Sequence, residues 1–170
     1  MKVLIMCGGT GKRLWPKSCA EKPKQFQAVL DDKTMLQHTY ERMSKYVSKD
    51  DIYFSTTDEY SKYIFDQITE VNTKNITTKV ELLNMIKEGK TIALVSDAGT
   101  PMICDPGNVI VSALQKEGCS VTSLAGACAV TTFLSQLPRE NEQFTFIGFI
   151  PRTENQIKEV CKKFLAQNVV

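Results

Sequence analysis

An α/β fold of Rossmann-like type, three layers α/β/α around a mainly parallel sheet, is predicted by two features of this 170-residue sequence. Short apolar runs alternate with helical patterns throughout, and the runs at 3–7 and 92–95 show no polar alternation. A strand covered on one face alternates, whereas one covered on both faces is apolar throughout and belongs to a parallel sheet with helices on each side. Further runs at 52–55, 121–124 and 144–149 have strand length, so five strands are expected. Repeated βα units place functional loops at the carboxyl ends of the strands.

The helical patterns fall between these runs. Met35, Leu36, Tyr40 and Met43 share one face, as do Tyr60, Ile64 and Ile68, then Leu82, Leu83 and Ile86, then Ile110, Val111 and Leu114. For the fourth helix Asp105 is expected to cap, Pro106 to take the first helical position and Gly118 to follow the last turn. A fifth candidate at 127–137 stops before Pro138. A sixth, at 157–167, puts Ile157, Val160, Cys161, Phe164 and Leu165 on one side. The polar stretch from Asn72 to Lys79 has no helical period and reads as a connector.

Composition bounds the function classes. With 42% hydrophobic and 24% charged residues the chain is of soluble globular type, and a net charge of +2 without a Lys/Arg stripe gives no argument for nucleic-acid or membrane binding. Six cysteines lie too far apart for a zinc site and read as reduced thiols. The N-terminal strand is too short for a signal or a membrane span, so a cytoplasmic location is expected.

Two motifs carry chemistry. The first is Cys7-Gly8-Gly9-Thr10-Gly11-Lys12-Arg13-Leu14-Trp15-Pro16, followed by Pro23-Lys24-Gln25-Phe26. A strand running into such glycines can turn sharply and bring backbone N–H groups against an anion. Gly8, Gly9, Thr10, Gly11, Lys12, Arg13 and Lys24 are therefore the candidate phosphate-binding residues; glycines alone fit a plain βα turn equally well. From about residue 3 to 76 the chain resembles the mannose-1-phosphate guanylyltransferase branch of the sugar nucleotidyltransferases. The resemblance implies attack of a sugar 1-phosphate on GTP with magnesium present, Arg13 and Lys24 neutralising phosphate charge as the catalytic residues. The family's metal-binding aspartate has no match here.

The second motif is Ser96-Asp97-Ala98-Gly99-Thr100-Pro101, followed by Cys104-Asp105-Pro106-Gly107. Its Gly and Pro fix a turn at the sheet edge, exposing backbone groups suited to a neutral adenosine or amino-acid moiety. From about residue 81 to 152 these residues, with Lys87-Glu88-Gly89-Lys90 and Gly148-Phe149-Ile150-Pro151-Arg152, look like the small-subunit ribosomal RNA 2′-O-methyltransferase of the tetrapyrrole-methylase superfamily. That resemblance implies S-adenosylmethionine on Ser96, Asp97, Ala98, Gly99, Thr100 and Pro101 and on Gly126, Ala127, Cys128 and Ala129, and methyl transfer to a ribose hydroxyl in ribosomal RNA. Cys104 stands where the family has Ser, and Ala125 to Ala129 where it has Pro-Gly-Pro-Ser-Ala.

Together the two resemblances predict a composite: a nucleotidyltransferase-like segment at 1–77, a methylase-like segment at 78–150 completing the same sheet, and a helical tail at 151–170, with a chimeric junction near 72–80. The expected function is that of a methyltransferase-like domain, incomplete for turnover. The alternatives are a nucleotidyltransferase acting on a small sugar phosphate, and a recombined domain with neither activity. Ribosomal RNA is the partner implied by the first, and unpaired apolar residues at 144–149 predict self-association. No resident metal is expected. His38 is read as a helix residue without a carboxylate partner, Trp15 and Phe26 as loop packing, and Asp31, Asp32, Asp50 and Asp51 as turn residues.

Overall fold

The computed structural model describes residues 1–9, 16–19, 21–96, 99–138 and 143–165. Its centre is a three-stranded parallel sheet: β1 (Lys2–Met6) lies between β2 (Ile52–Ser55) and β3 (Ile92–Val95). Val3 is in register with Ile52 on one side and Ala93 on the other, and Ile5 with Phe54 and Val95. Parallel strands need long crossovers, and α1 (Met35–Ser44), α2 (Asp58–Gln67) and α3 (Lys79–Lys87) lie in them.

Strand periodicity divides the core into two layers. Val3, Ile5 and Cys7 face one way, packing with Ile52, Phe54, Leu36 and Tyr40 of α1, and Tyr60 and Ile64 of α2. Leu4 and Met6 face the other way, against Leu82 of α3 and Ile110 of α4 (Asn108–Lys116). The unalternating apolar run at 3–7 follows from this: both faces of β1 are covered. Capping boxes start α1 and α3. Thr34 Oγ1 accepts from the Gln37 amide at 3.2 Å while Gln37 Oε1 accepts from the Thr34 amide at 2.8 Å. Thr78 and Glu81 do the same at α3, and the Thr78 amide holds the Glu81 carboxyl below its usual range.

The stretch at 72–79 is more than a polar connector. Thr73–Asn75 forms a 3₁₀ turn capped by Asn72. Asn75, 3% exposed, donates through Nδ2 to Ile52 O at 2.8 Å; Ile76 makes a parallel bridge with Phe54; and the Thr77 amide donates to Phe54 O at 3.0 Å. Here the chain runs along the outer edge of β2 and covers its backbone groups.

Several expectations need correction. The runs at 121–124 and 144–149 form no strand: Leu124 is 85% and Phe149 69% exposed. Apolar β-formers make a strand only where a neighbour completes the ladder, and these runs pair with no named strand. At α4 the cap is Gly107, with φ +126°, rather than Asp105, so Pro106 precedes the helix instead of opening it. Gly118, with φ +77°, does follow the last turn. The fifth helix, α5 (Ala129–Leu134), is shorter than 127–137, and α6 (Glu154–Leu165) begins three residues before Ile157.

The chain divides into two compact units, Met1–Gly126 and Ala127–Val170. The first holds the sheet and α1 to α4. The second holds α5, α6 and the extended run at 143–150, and none of its described residues is buried. Among the described residues no helix is long and apolar enough to cross a membrane.

Asn75→Ala is expected to destabilise the protein by about 1–3 kcal/mol, because it strips the buried Ile52 carbonyl of its donor; a urea midpoint unchanged from wild type would show that the attachment to β2 contributes nothing. Burial, with the Glu70 carboxylate as second cause, pushes the Tyr40 hydroxyl up to about 12. A folded-state value above the unfolded value of about 10 means stability is full below pH 10 and lost as pH rises through 12. Stability curves from pH 9 to 12 should therefore show a loss in wild type that Tyr40→Phe reduces.

Candidate functional site

Because the strands are parallel, the turns after Met6, Ser55 and Val95 emerge at one edge of the sheet. The order β2-β1-β3 reverses direction at β1, and the crevice outside the carboxyl ends at such a switch point is where open α/β sheets bind ligands. The described residues of both sequence motifs, Gly8 and Gly9 after β1 and Ser96, Gly99, Thr100 and Pro101 after β3, lie there.

Gln25 builds the first turn. This side chain, 6% exposed, donates through Nε2 to Cys7 O at 2.9 Å and to Gly9 O at 2.8 Å. The Cys7 carbonyl also accepts from Thr56 Oγ1 at 3.4 Å, and the Cys7 amide donates to Ser55 O at 2.8 Å. In a trans peptide the N–H points opposite to the C=O. Drawing the Cys7 carbonyl towards Gln25 therefore turns the Gly8 amide away from it. Gly8 and Gly9 are exposed, and a Cβ on Gly9 would meet no atom within 4 Å. The turn is thus open towards solvent and carries the donor an anion needs.

Gln25 is held in its turn by packing. It lies in the 3₁₀ turn Lys24–Phe26, where Phe26 is buried and stacks on Tyr63 at 5.1 Å between ring centroids, with Tyr60 at 5.9 Å. Gln67 Nε2 donates to Phe26 O at 3.1 Å and Gln27 Nε2 to Lys22 O at 3.0 Å. Phe26 is packing, as its sequence context indicates. Lys24, half-buried, stands beside Gln25 in the same turn. Thr10, Gly11, Lys12, Arg13 and Trp15 lie outside the described residues.

The second turn follows β3. Ser96 is buried at its base, Gly99 is exposed with φ +80°, and Thr100 and Pro101 are half-buried. A Cβ on Gly99 would lie 3.6 Å from Asp105 Oδ2, so the carboxylate expected to cap α4 stands against this turn instead. Met102 and Cys104 also adopt left-handed backbone, with φ +72° and +56°, a conformation costing an L-residue roughly 1–2 kcal/mol. The sequence carries no glycine at either position to announce that strain. Asp97 and Ala98 lie outside the described residues.

The remaining predicted cofactor residues divide between the two units. Gly126, exposed, ends the first; Ala127, Cys128 and Ala129 open the second, where the Cys128 carbonyl accepts from Thr131 Oγ1 at 3.1 Å and Thr132 Oγ1 at 2.9 Å at the start of α5. Residues missed from the sequence are Gln25 and Thr56, which shape the first turn through hydrogen bonds to its backbone rather than through charge. The signal for Gln25 was its place in the Pro23-Lys24-Gln25-Phe26 cluster, and Thr56 had none. His38, read as unpartnered, has Asp31 Oδ1 2.8 Å from its Nε2; Asp31 also accepts from the Lys33 amide, which with His38 holds its carboxyl low. Among the described residues no group of three or more His, Cys, Asp or Glu could hold a metal ion.

A family model described as nucleotidyl transferase matches residues 2–118, a span that includes β1, the stretch at 72–79 and β3. The chain belongs to the nucleotidyl transferase family. This nucleotidyl transferase chain is also similar to proteins named ribosomal RNA small subunit methyltransferase I. One from Halalkalibacterium halodurans is 44% identical over 82 residues, covering 48% of this chain and 28% of that protein. One from Mycobacterium bovis is 51% identical over 71 residues, covering 42% and 25%. The chain spans between 24% and 40% of the length of the curated relatives it matches. Among solved structures, a mannose-1-phosphate geranyltransferase from Thermus thermophilus aligns with a TM-score of 0.47 and 23% identity, over 56% of this chain and 31% of that one. Membership of the nucleotidyl transferase family and similarity to part of the methyltransferases thus coexist in one polypeptide.

Gly107→Ala is expected to destabilise the protein by about 1–2 kcal/mol, since φ +126° is closed to an L-residue. Thermal melts check this, and an unchanged Tm would remove Gly107 as the residue that lets the chain leave the second turn for α4.

Proposed function

We propose that the chain is an S-adenosylmethionine-binding domain of ribosomal RNA methyltransferase ancestry. The observation that carries this reading is the turn after β3. Ser96 is buried at its root, Gly99 is left-handed, and Thr100 and Pro101 are half-exposed at the carboxyl edge of a parallel sheet. The likeness of this chain to ribosomal RNA small subunit methyltransferase I, at 44% identity over 82 residues, supports it. Ser96, Gly99, Thr100 and Pro101 offer uncharged backbone and hydroxyl groups, which fit a neutral adenosine better than a polyphosphate. Asp97 and Ala98 are assigned to the same turn, and Gly126, Ala127, Cys128 and Ala129 to the cofactor on resemblance alone.

The bound cofactor would supply an activated methyl group for a ribose hydroxyl in RNA. Orientation of that hydroxyl can account for about 7–11 kcal/mol of barrier lowering, so cofactor binding without substrate positioning gives slow transfer.

A second reading has its own support. The family match over 2–118 and the Gln25-built turn favour a nucleotidyltransferase taking GTP with magnesium and a sugar 1-phosphate, with Gly8, Gly9 and Lys24 on the phosphates and Thr10, Gly11, Lys12 and Arg13 assigned with them. A fused α/β domain with neither activity, joined near 72–80, is the third.

Calorimetric titration separates them. Heat with S-adenosylmethionine is the expected outcome, whether or not GTP plus magnesium also gives heat; heat with GTP plus magnesium and none with S-adenosylmethionine would replace it with the nucleotidyltransferase reading; silence with both in a folded sample leaves a scaffold. The exposed aromatic residues Phe144, Phe146 and Phe149 support self-association as well. Light scattering should show mass rising with concentration, and a monomer throughout the range would count against it.

A further inference from the structure

The two turns are too close to serve two ligands. Ile5 and Val95 are Cα partners in adjacent strands, so the chain leaves β1 towards Gly8 and leaves β3 towards Ser96 from neighbouring positions of one ladder. Adjacent strands are spaced by about 4.8 Å. A small-molecule site occupies at least about 300 Å³, roughly 8 Å across if spherical. Two such volumes resting on turns separated by one strand spacing must overlap.

From this geometry we propose that the phosphate turn and the cofactor turn form a single cleft, so that S-adenosylmethionine and a nucleoside triphosphate exclude each other. This rests on the reading that Ser96 to Pro101 binds S-adenosylmethionine, and extends it. The chemistry of the cleft is graded along the edge. On the β1 side lies the Gly8 amide, turned outward by the Gln25–Cys7 hydrogen bond, a donor for phosphate oxygens; Lys24 precedes Gln25 in the same 3₁₀ turn. On the β3 side lie Ser96, Gly99 and Thr100, a lining for a neutral nucleoside. A nucleoside triphosphate reaching the first lining with its phosphates occupies space that the adenosine of S-adenosylmethionine needs at the second. Such exclusion makes nucleotide level a control on cofactor occupancy.

The test is competition calorimetry on the full chain, S-adenosylmethionine being titrated at rising fixed concentrations of GTP with magnesium. The apparent Kd should rise in proportion to GTP concentration without a plateau. A Kd independent of GTP, with both ligands giving heat separately, overturns the shared cleft while the cofactor reading stands. Heat with S-adenosylmethionine alone likewise overturns it and spares that reading; no heat with S-adenosylmethionine sinks both.

A structural variant gives an independent readout. Gly9 lies outside the left-handed region and a Cβ there meets nothing within 4 Å, so Gly9→Trp should fold with an unchanged Tm. Its indole, projecting from the phosphate turn, should weaken S-adenosylmethionine binding at least tenfold. Wild-type cofactor affinity in a folded Gly9→Trp protein would mean that the turns are separate sites.

Discussion

The ladder on both sides of β1 is the constraint on which the rest of the molecule depends. A strand hydrogen-bonded to β2 and β3 at once has no free edge, and helices over both its faces leave no face exposed either. Five consecutive residues, Val3 to Cys7, are consequently buried. The turns that carry the two sequence motifs meet along that ladder, the first after β1 and the second after β3. Neither part of the sheet can open without stripping hydrogen bonds from the other. One cooperative sheet also fixes what happens at its rim, since whatever follows β1 and β3 must emerge side by side.

The stretch at 72–79 shows how a polar connector closes the edge of a sheet. A loose linker would leave the outer edge of β2 as an open template for pairing. Here Asn75 and Thr77 bond to the Ile52 and Phe54 carbonyls, and a capping box at Thr78 starts α3 directly afterwards. The Lys74–Asp50 ion pair at 2.8 Å is exposed and adds little; the buried Asn75 amide carries more, because the carbonyl it satisfies is out of reach of water. The Asn75 side-chain amide and the Thr77 backbone amide thus replace a regular fourth strand along part of that edge.

The sequence made the sheet and the first four helices legible because their signals are local and agree with one another: apolar runs of strand length, helical faces at Leu36 and Tyr40 or Ile110 and Val111, and a glycine after α4. What it could not show depended on partners distant along the chain. The residues at 144–149 have the composition of a strand, and only the sheet order reveals that they pair with no named strand. Asp105 and Pro106 form a good local cap sequence, yet Gly107 takes the cap and Asp105 faces Gly99. The two motifs were legible one by one but not as neighbours, because adjacency of β1 and β3 is a property of topology. Gln25 escaped notice as a site residue for the same reason: its role is to hold two carbonyls more than fifteen residues away.

The contrast between the two compact units follows from the same physics. In Met1–Gly126 each of the three strands finds a ladder and covering helices, so side chains such as Phe54 and Ile64 lose all contact with water. In Ala127–Val170 the apolar residues are of the same kinds, with Phe133, Phe144, Phe146, Ile147, Phe149 and Ile150 among them, but no strand pairs them and each remains at least 41% exposed. Helices of six and twelve residues are marginal by themselves, and the pairs Lys158–Glu154 and Lys162–Glu159 on α6 add only a few tenths of a kcal/mol each. The second unit is therefore held by local propensity where the first is held by burial. Order at the rim of the sheet, where Gly8, Gly9 and Ser96 stand, is secured by burial within the first unit.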